Sequence, residues 1–286
     1  MFLIEALLEA ISNNDLQRVR ELIQAGVDVN EPLEDRDTVL MFAAREGYLD
    51  IVKILVEAGA DGNLISYQGD NALVQAAWGG WQEVFDYLRP LTSSEVREWA
   101  EKEALLGAAA DNNIKALHLL LKLGVHLNAK SEDEGDAGWT PLILATELRN
   151  IEFVKALLEL RVNLNAQDNN GRTALMLAAK YRNDVEFRIK GAAEIQARLV
   201  QMLAEADADL NLADNKGKTA LMLGGEFGSS EAVSVLIQKG ANINQKDDRG
   251  NTALAYAENS NALLPAEKIR RSEIIKLLLK AGAIED

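Results

Sequence analysis

A five-residue ending recurs along this chain: a glycine or a stand-in, an apolar residue, usually an Asp or Asn, one further residue, and a closing Asn. It reads Gly26-Val27-Asp28-Val29-Asn30 at its first appearance, and it closes again at Asn63, Asn128, Asn165, Asn211 and Asn244. The steps between closing Asn residues are 33, 65, 37, 46 and 33. They read as copies of a 33-residue unit, with one double step short by a residue and two steps carrying 4 and 13 extra. A last ending, Gly282-Ala283-Ile284, lies 42 residues after Gly240, so 9 are extra there. A unit of this length cannot bury its own apolar face. It must stack on its neighbours, which makes the core quasi-one-dimensional.

A second signature lies between the endings: Gly138-Trp139-Thr140-Pro141-Leu142, Gly171-Arg172-Thr173-Ala174-Leu175, Gly217-Lys218-Thr219-Ala220-Leu221 and Gly250-Asn251-Thr252-Ala253-Leu254. Each leads into a short apolar run and then a longer helical pattern with apolar residues at i, i+3 and i+4. Paired small residues (Ala43/Ala44, Ala76/Ala77, Ala108/Ala109, Ala178/Ala179, Gly224/Gly225) leave room for a neighbouring helix. The Thr is placed to cap the first helix, and the Gly of each ending suits a left-handed C-terminal cap. Period and motifs together resemble the ankyrin-repeat family over nearly the whole chain. First helices begin near Leu7, Leu40, Leu73, Leu105, Leu142, Leu175, Leu221 and Leu254. The His that the family commonly carries after its Thr-Pro is replaced by Met41, Val74, Ile143, Met176, Met222 and Ala255.

The expected fold is mostly α, an ankyrin-repeat solenoid of stacked helix-turn-helix units with short β-hairpin connections. It forms a single domain, 1–286, with repeats at roughly 1–30, 31–63, 64–92, 93–128, 129–165, 166–211, 212–244 and 245–286. The third ending is missing before the fourth copy. There Thr92 as N-cap, Glu95 at the third helical position and a Leu91–Val96 staple predict one helix over about 93–111 in place of a hairpin. Insertions near 184–196 and 260–268 fall between the two helices of their copies and could lengthen helices or form a secondary contact. The acidic stretch Glu132–Asp136 fails the alternating pattern of a calcium loop and reads as a solvated finger.

Composition narrows the chemistry. The chain has 286 residues, no cysteine and two histidines, so disulfides, cysteine zinc sites and cysteine nucleophiles are excluded. His118 and His126 lack companions at ligand spacing and read as structural. Gly217-Lys218-Thr219 lacks the earlier glycine of a phosphate loop, with Leu212 in its place, and repeats as Gly171-Arg172-Thr173 in a sister copy. No catalytic constellation, cofactor site, metal site or small-molecule substrate is indicated. The N-terminus, interrupted by Glu5 and Glu9, reads as an amphipathic helix of a cytoplasmic protein, not an export signal or membrane span. With 45 acids against 30 bases, the net charge of −15 disfavours direct nucleic-acid binding.

Function is then expected from surface. The resemblance implies non-enzymatic recognition of a folded protein, as a scaffold or regulatory binder, on a concave face formed by hairpin tips and exposed first-helix positions. Aligned to that face, this sequence offers Arg45, Glu46, Tyr67, Asp70, Trp78, Trp81, Trp139, Arg172, Tyr181 and Phe227. Trp78 and Trp139 are the expected anchors, since interfaces favour Trp, Tyr and Arg. Trp81 and Trp99 are the better candidates for filling the gap left by the missing hairpin. Residues 1–150 hold 26 acids and 12 bases, while 151–286 hold 19 and 18. The first half should therefore steer a partner with a basic surface. An acidic stoichiometric inhibitor of a basic, nucleic-acid-processing protein is the alternative. An enzyme with an unrecognised carboxylate site is the reading from another class, and no acid/base geometry favours it.

Overall fold

The computed structural model describes residues 2–122, 124–131, 138–180, 192–227, 229–259 and 265–284. Tyr181, the acidic finger and most of the insertion near 184–196 lie outside them, as do residues 260–264. The chain divides into two compact units, residues 1–126 and 127–286.

The first unit holds α1 (Phe2–Ser12), α2 (Leu16–Gln24), α3 (Val39–Glu46), α4 (Leu49–Glu57), α5 (Ala72–Gly79), α6 (Gln82–Leu88), α7 (Ser94–Ala110) and α8 (Ile114–Lys122). First helices stack in the order α1, α3, α5, α7, and α2, α4, α6 form a second row. The small residues do what their size allows. Ala43, Ala44, Ala76, Ala77, Ala108 and Ala109 are fully buried, so neighbouring first helices approach closely. Leu, Val, Ile, Met and two aromatics, Phe85 here and Phe153 in the second unit, fill the rest of the core among the described residues.

The second unit holds α9 (Pro141–Glu147), α10 (Ile151–Glu159), α11 (Ala174–Ala179), α12 (Ala192–Glu205), α13 (Ala220–Phe227), α14 (Ser230–Gln238), α15 (Ala253–Asn259) and α16 (Pro265–Lys280). Its rows run α9, α11, α13, α15 and α10, α12, α14, α16. At 14 and 16 residues, α12 and α16 exceed the 9 of α10 and α14, so part of each insertion is spent lengthening a second helix.

The connections form as tight hairpins without assigned strands among the described residues. In most of them an Asp or Ser organises the turn, while Leu33 takes that position before α3 with its N–H donating to Asp37 O. Asp168 N–H donates to Arg172 O, Gly171 N–H donates back to Asp168 O, and Asp168 Oδ1 accepts from the N–H of Asn170 and Arg172. Asp214, Asp247 and Ser66 repeat the scheme. The hairpins stack: Asn215 N–H donates to Asn170 O, and Asp248 N–H to Lys216 O. The Thr caps are present at Thr38, Thr140, Thr173, Thr219 and Thr252, with Asn71 serving in the third copy.

The closing Asn of each ending links successive copies. Asn30 Oδ1 accepts from Asp61 N–H at 2.8 Å while its Nδ2 donates to Gly59 O. Asn128, Asn165, Asn211 and Asn244 accept in the same way from Asn163, Asp209, Asn242 and Ile284. Where the ending is missing, Asn63 Oδ1 accepts from Ser93 N–H at 2.8 Å. That residue is the N-cap of α7, its Oγ accepting from Val96 N–H. The expected single helix is therefore present, but its cap is Ser93 and not Thr92. Thr92 is buried with its hydroxyl donating to Leu88 O, closing the preceding turn. Leu91, expected to staple onto Val96, is 49% exposed.

Candidate partner-binding faces

On the first unit, hairpin tips and the ends of first helices present a mixed acidic and aromatic surface. Tyr67 stands 73% exposed at a hairpin tip, its backbone N–H held by Asp35 O and the Arg36 guanidinium 5.1 Å from its ring centroid. Arg45 and Glu46 are exposed at the end of α3 and pair at 3.6 Å, with Arg45 also 4.9 Å from the Phe42 ring. Asp70 is different. It is only 6% exposed and accepts a 3.3 Å hydrogen bond from Gln75 Nε2. Burial, reinforced by the charge of Asp37, pushes its carboxyl up to about 6. Asp37 is raised too, first by burial, with Arg45 opposing.

The tryptophans take unequal positions. Trp78 is half-buried, donates Nε1–H to Ala104 O of α7 at 3.3 Å, and lies directly against Gly107. Its own carbonyl accepts from Asn113 Nδ2. Trp81 does not fill the missing-hairpin gap. It is 43% exposed, its indole lying over Gly47 and Gly79 and donating to Arg45 O at 2.7 Å. Trp99, on α7, is half-buried and lies beside Gly69 of the hairpin that precedes α5. His118 and His126 are both exposed, not packed as structural histidines would be.

On the second unit, Trp139 is half-buried in its hairpin, its carbonyl accepting from Ser131 N–H and its own N–H donating to Ser131 Oγ. Arg172 is spent internally, gripping the Asp168 carboxylate through Nε at 2.8 Å and a terminal nitrogen at 2.6 Å. Phe227 is 36% exposed with Lys180 Nζ 5.0 Å from its ring centroid.

Between the last two hairpins and helices α13 and α15 lies a hollow of about 370 Å³, bordered by Lys216, Lys218, Glu226, Asp247, Arg249 and Tyr256. Lys218 Nζ bonds Glu226 at 2.7 Å and stands 4.3 Å from the Tyr256 ring centroid. Burial alone would lower its pKa, but Glu226 and Tyr256 outweigh it and raise it. Tyr256 donates to Asp247 Oδ2 at 2.6 Å. Asp247 is held below its ordinary value because that bond and the N–H groups of Asn251 and Arg249 overcome desolvation. Tyr256 is raised, by burial and by Asp247. Hairpin positions 216, 218 and 249 are legible from the repeat alignment. Glu226, Asp247 and Tyr256 are not, because their roles depend on how α13, α15 and the hairpins meet.

Among the described residues no group of His, Cys, Asp and Glu could hold a metal ion, and no helix is long and apolar enough to cross a membrane. Stacked helix pairs with projecting hairpins define a helical repeat protein. This chain belongs to the ankyrin-repeat family: the model described as ankyrin repeats (3 copies) matches residues 7–97, 105–188 and 189–285. The family is one of protein–protein interaction modules. Among its relatives, an L-asparaginase of Dirofilaria immitis is 32% identical over 51% of this chain and 24% of its own length. The ankyrin repeat and KH domain-containing protein mask-1 of Caenorhabditis elegans is 29% identical over 59% and 6%. A probable E3 ubiquitin-protein ligase of rice, XBOS32, is 27% identical over 61% and 42%. The match thus spans less than half of each of these relatives.

Proposed function

We propose that the chain is a non-enzymatic scaffold or regulatory binder that engages a folded protein through its hairpin tips and first-helix ends. The observation that carries this reading is Tyr67, a large aromatic 73% exposed beside Asp35 and Arg36. Aromatic and Arg side chains supply contact area at low entropic cost and dominate interface energies. The repeats would serve as one recognition domain in the cytoplasm, without cofactor, nucleic acid or small-molecule substrate. Trp78 and Trp81 are partly accessible on the same unit and would contribute beside that anchor, and Trp139 and Phe227, partly accessible on the second unit, would supply contacts there.

Charge favours a sharper form. Residues 1–126 carry 21 acids and 10 bases, so a partner with a basic surface would be steered there, as an acidic inhibitor of a nucleic-acid-processing protein would require. The test is to isolate a partner from the source organism and measure its affinity for wild type and Tyr67→Ala. A true anchor loses at least about 2 kcal/mol, more than twentyfold, with the thermal midpoint unmoved. Unchanged affinity in Tyr67→Ala and Trp139→Ala alike would remove the reading.

A further inference from the structure

Stacking gives each copy one side turned to the preceding copy and one turned to the following copy, and exposure along the chain tells them apart. Ile51, Phe153, Ala232 and Ile274 share one register position on the second helix and are fully buried, but Arg18, at that position in the first copy, is exposed. Val19, Val52, Val154 and Val233 hold the next position and are fully buried, but Ile275 in the eighth copy is only half-buried. The first position therefore looks to the preceding copy and the second to the following one. Among the described residues, the preceding side of α1 and α2 and the following side of α16 are left open. On that second side Leu279, one turn after Ile275, is 39% exposed, and Arg271 and Lys268 lie one and two turns before it on the same stripe. The two open sides differ in charge. α16 carries five cations and two acids, and Glu258 of α15 raises the acids to three. α1 and α2 with the Asp15 cap carry four acids against Arg18 and Arg20.

We propose that the following side of α16 in one molecule stacks on the preceding side of α1 and α2 in a second copy of this chain. It is the join that the fold already makes between neighbouring copies, here made between molecules, and it is heterologous. The aliphatic stems of Arg18 and Glu21 cover Ile275 and Leu279, while Lys268 and Arg271 meet the acids of α1 and α2. Inner copies place the buried Ile51 and Ile54 where the first copy places the exposed pair Arg18 and Glu21, 3.2 Å apart. The contact between molecules is therefore reversible and salt-sensitive, unlike the apolar joins within the chain. It uses neither Tyr67 nor the hairpin tips, so it stands apart from the partner-binding reading above.

Sedimentation velocity of the full chain, from micromolar to hundreds of micromolar, tests this. At about 0.05 M salt wild type should grow past the dimer as concentration rises, and at about 0.5 M salt it should associate at least tenfold more weakly. Lys268→Gln/Leu279→Gln and Glu9→Gln/Glu21→Gln each change exposed residues on one open side. Each should weaken association at least tenfold with the thermal midpoint unmoved. An equimolar mixture of the two variants should form dimers that grow no further, because each keeps the side that the other has lost. Tyr67→Ala should associate as wild type does. A wild type that stays monomeric at low salt, unchanged association in either double variant, or a mixture that forms no dimer overturns the contact. Loss of association in Tyr67→Ala overturns it too, by moving the contact to the hairpin tips.

Discussion

Asp70 follows Gly69 as Arg172 follows Gly171 and Lys218 follows Gly217, yet it is an acid at a position where two later copies carry a cation. Burial raises its pKa to about 6, so the folded state holds its proton more tightly than the unfolded state, whose value is near 3.8. The folded state therefore binds more protons between those values, and stability falls as pH rises through that window. At pH 7 the cost is fully present. Asp70→Asn keeps an oxygen for Gln75 and removes the charge. It should stabilise the chain at pH 7 by about 1–2 kcal/mol, allowing for partial solvation, and flatten the pH dependence between about 6 and 4 in urea titrations. Gly107 makes a steric prediction. A Cβ there would intrude on the Trp78 ring, a contact the sequence does not announce because the residues belong to different copies. Gly107→Ala should cost about 1–3 kcal/mol, read as a lower midpoint, with a shift in Trp fluorescence as the indole moves.

At the level of elements, the repeat grammar specifies more than helices. The closing Asn residues stand out as a period, but only the stacked structure shows them as cross-copy acceptors. Asn63 is the informative case, because its partner is the cap of a helix and not another ending. Asn63→Ala should leave Ser93 N–H without that acceptor and cost about 1 kcal/mol, and hydrogen exchange at the start of α7 should rise while α1 and α2 stay protected. The start of α7 also shows where pattern reading stops. Thr92 and Ser93 are both competent caps, and the preceding turn decided between them by taking the Thr92 hydroxyl for Leu88 O. In the second unit, Arg161 and Asp207 hold the left-handed conformation that glycine supplies in other endings. The position demands that backbone whatever residue occupies it, at a cost of about 1 kcal/mol for a side chain.

For the whole molecule, the uneven charge is the property with a measurable consequence. With 21 acids to 10 bases over 1–126 and 24 to 20 over 127–286, association with a basic partner should slow as salt rises. Stopped-flow association rates between 50 and 500 mM salt should fall by tenfold or more, with dissociation changing less. A flat profile would mean the acids serve solubility alone. The sequence by itself determined the family, the 33-residue unit, the paired small residues, the Thr caps and the long helix after Pro90, because each is a local pattern repeated often enough to be read. Only the tertiary structure decided which surface residues stay free. Asp70 is buried, Arg172 is spent on Asp168, Trp78 leans on α7, and Lys216 and Arg249 keep their charges open beside Tyr256. Those outcomes depend on which side chains meet within each folded hairpin and between neighbouring copies, and such a contact leaves no periodic trace in the chain that makes it.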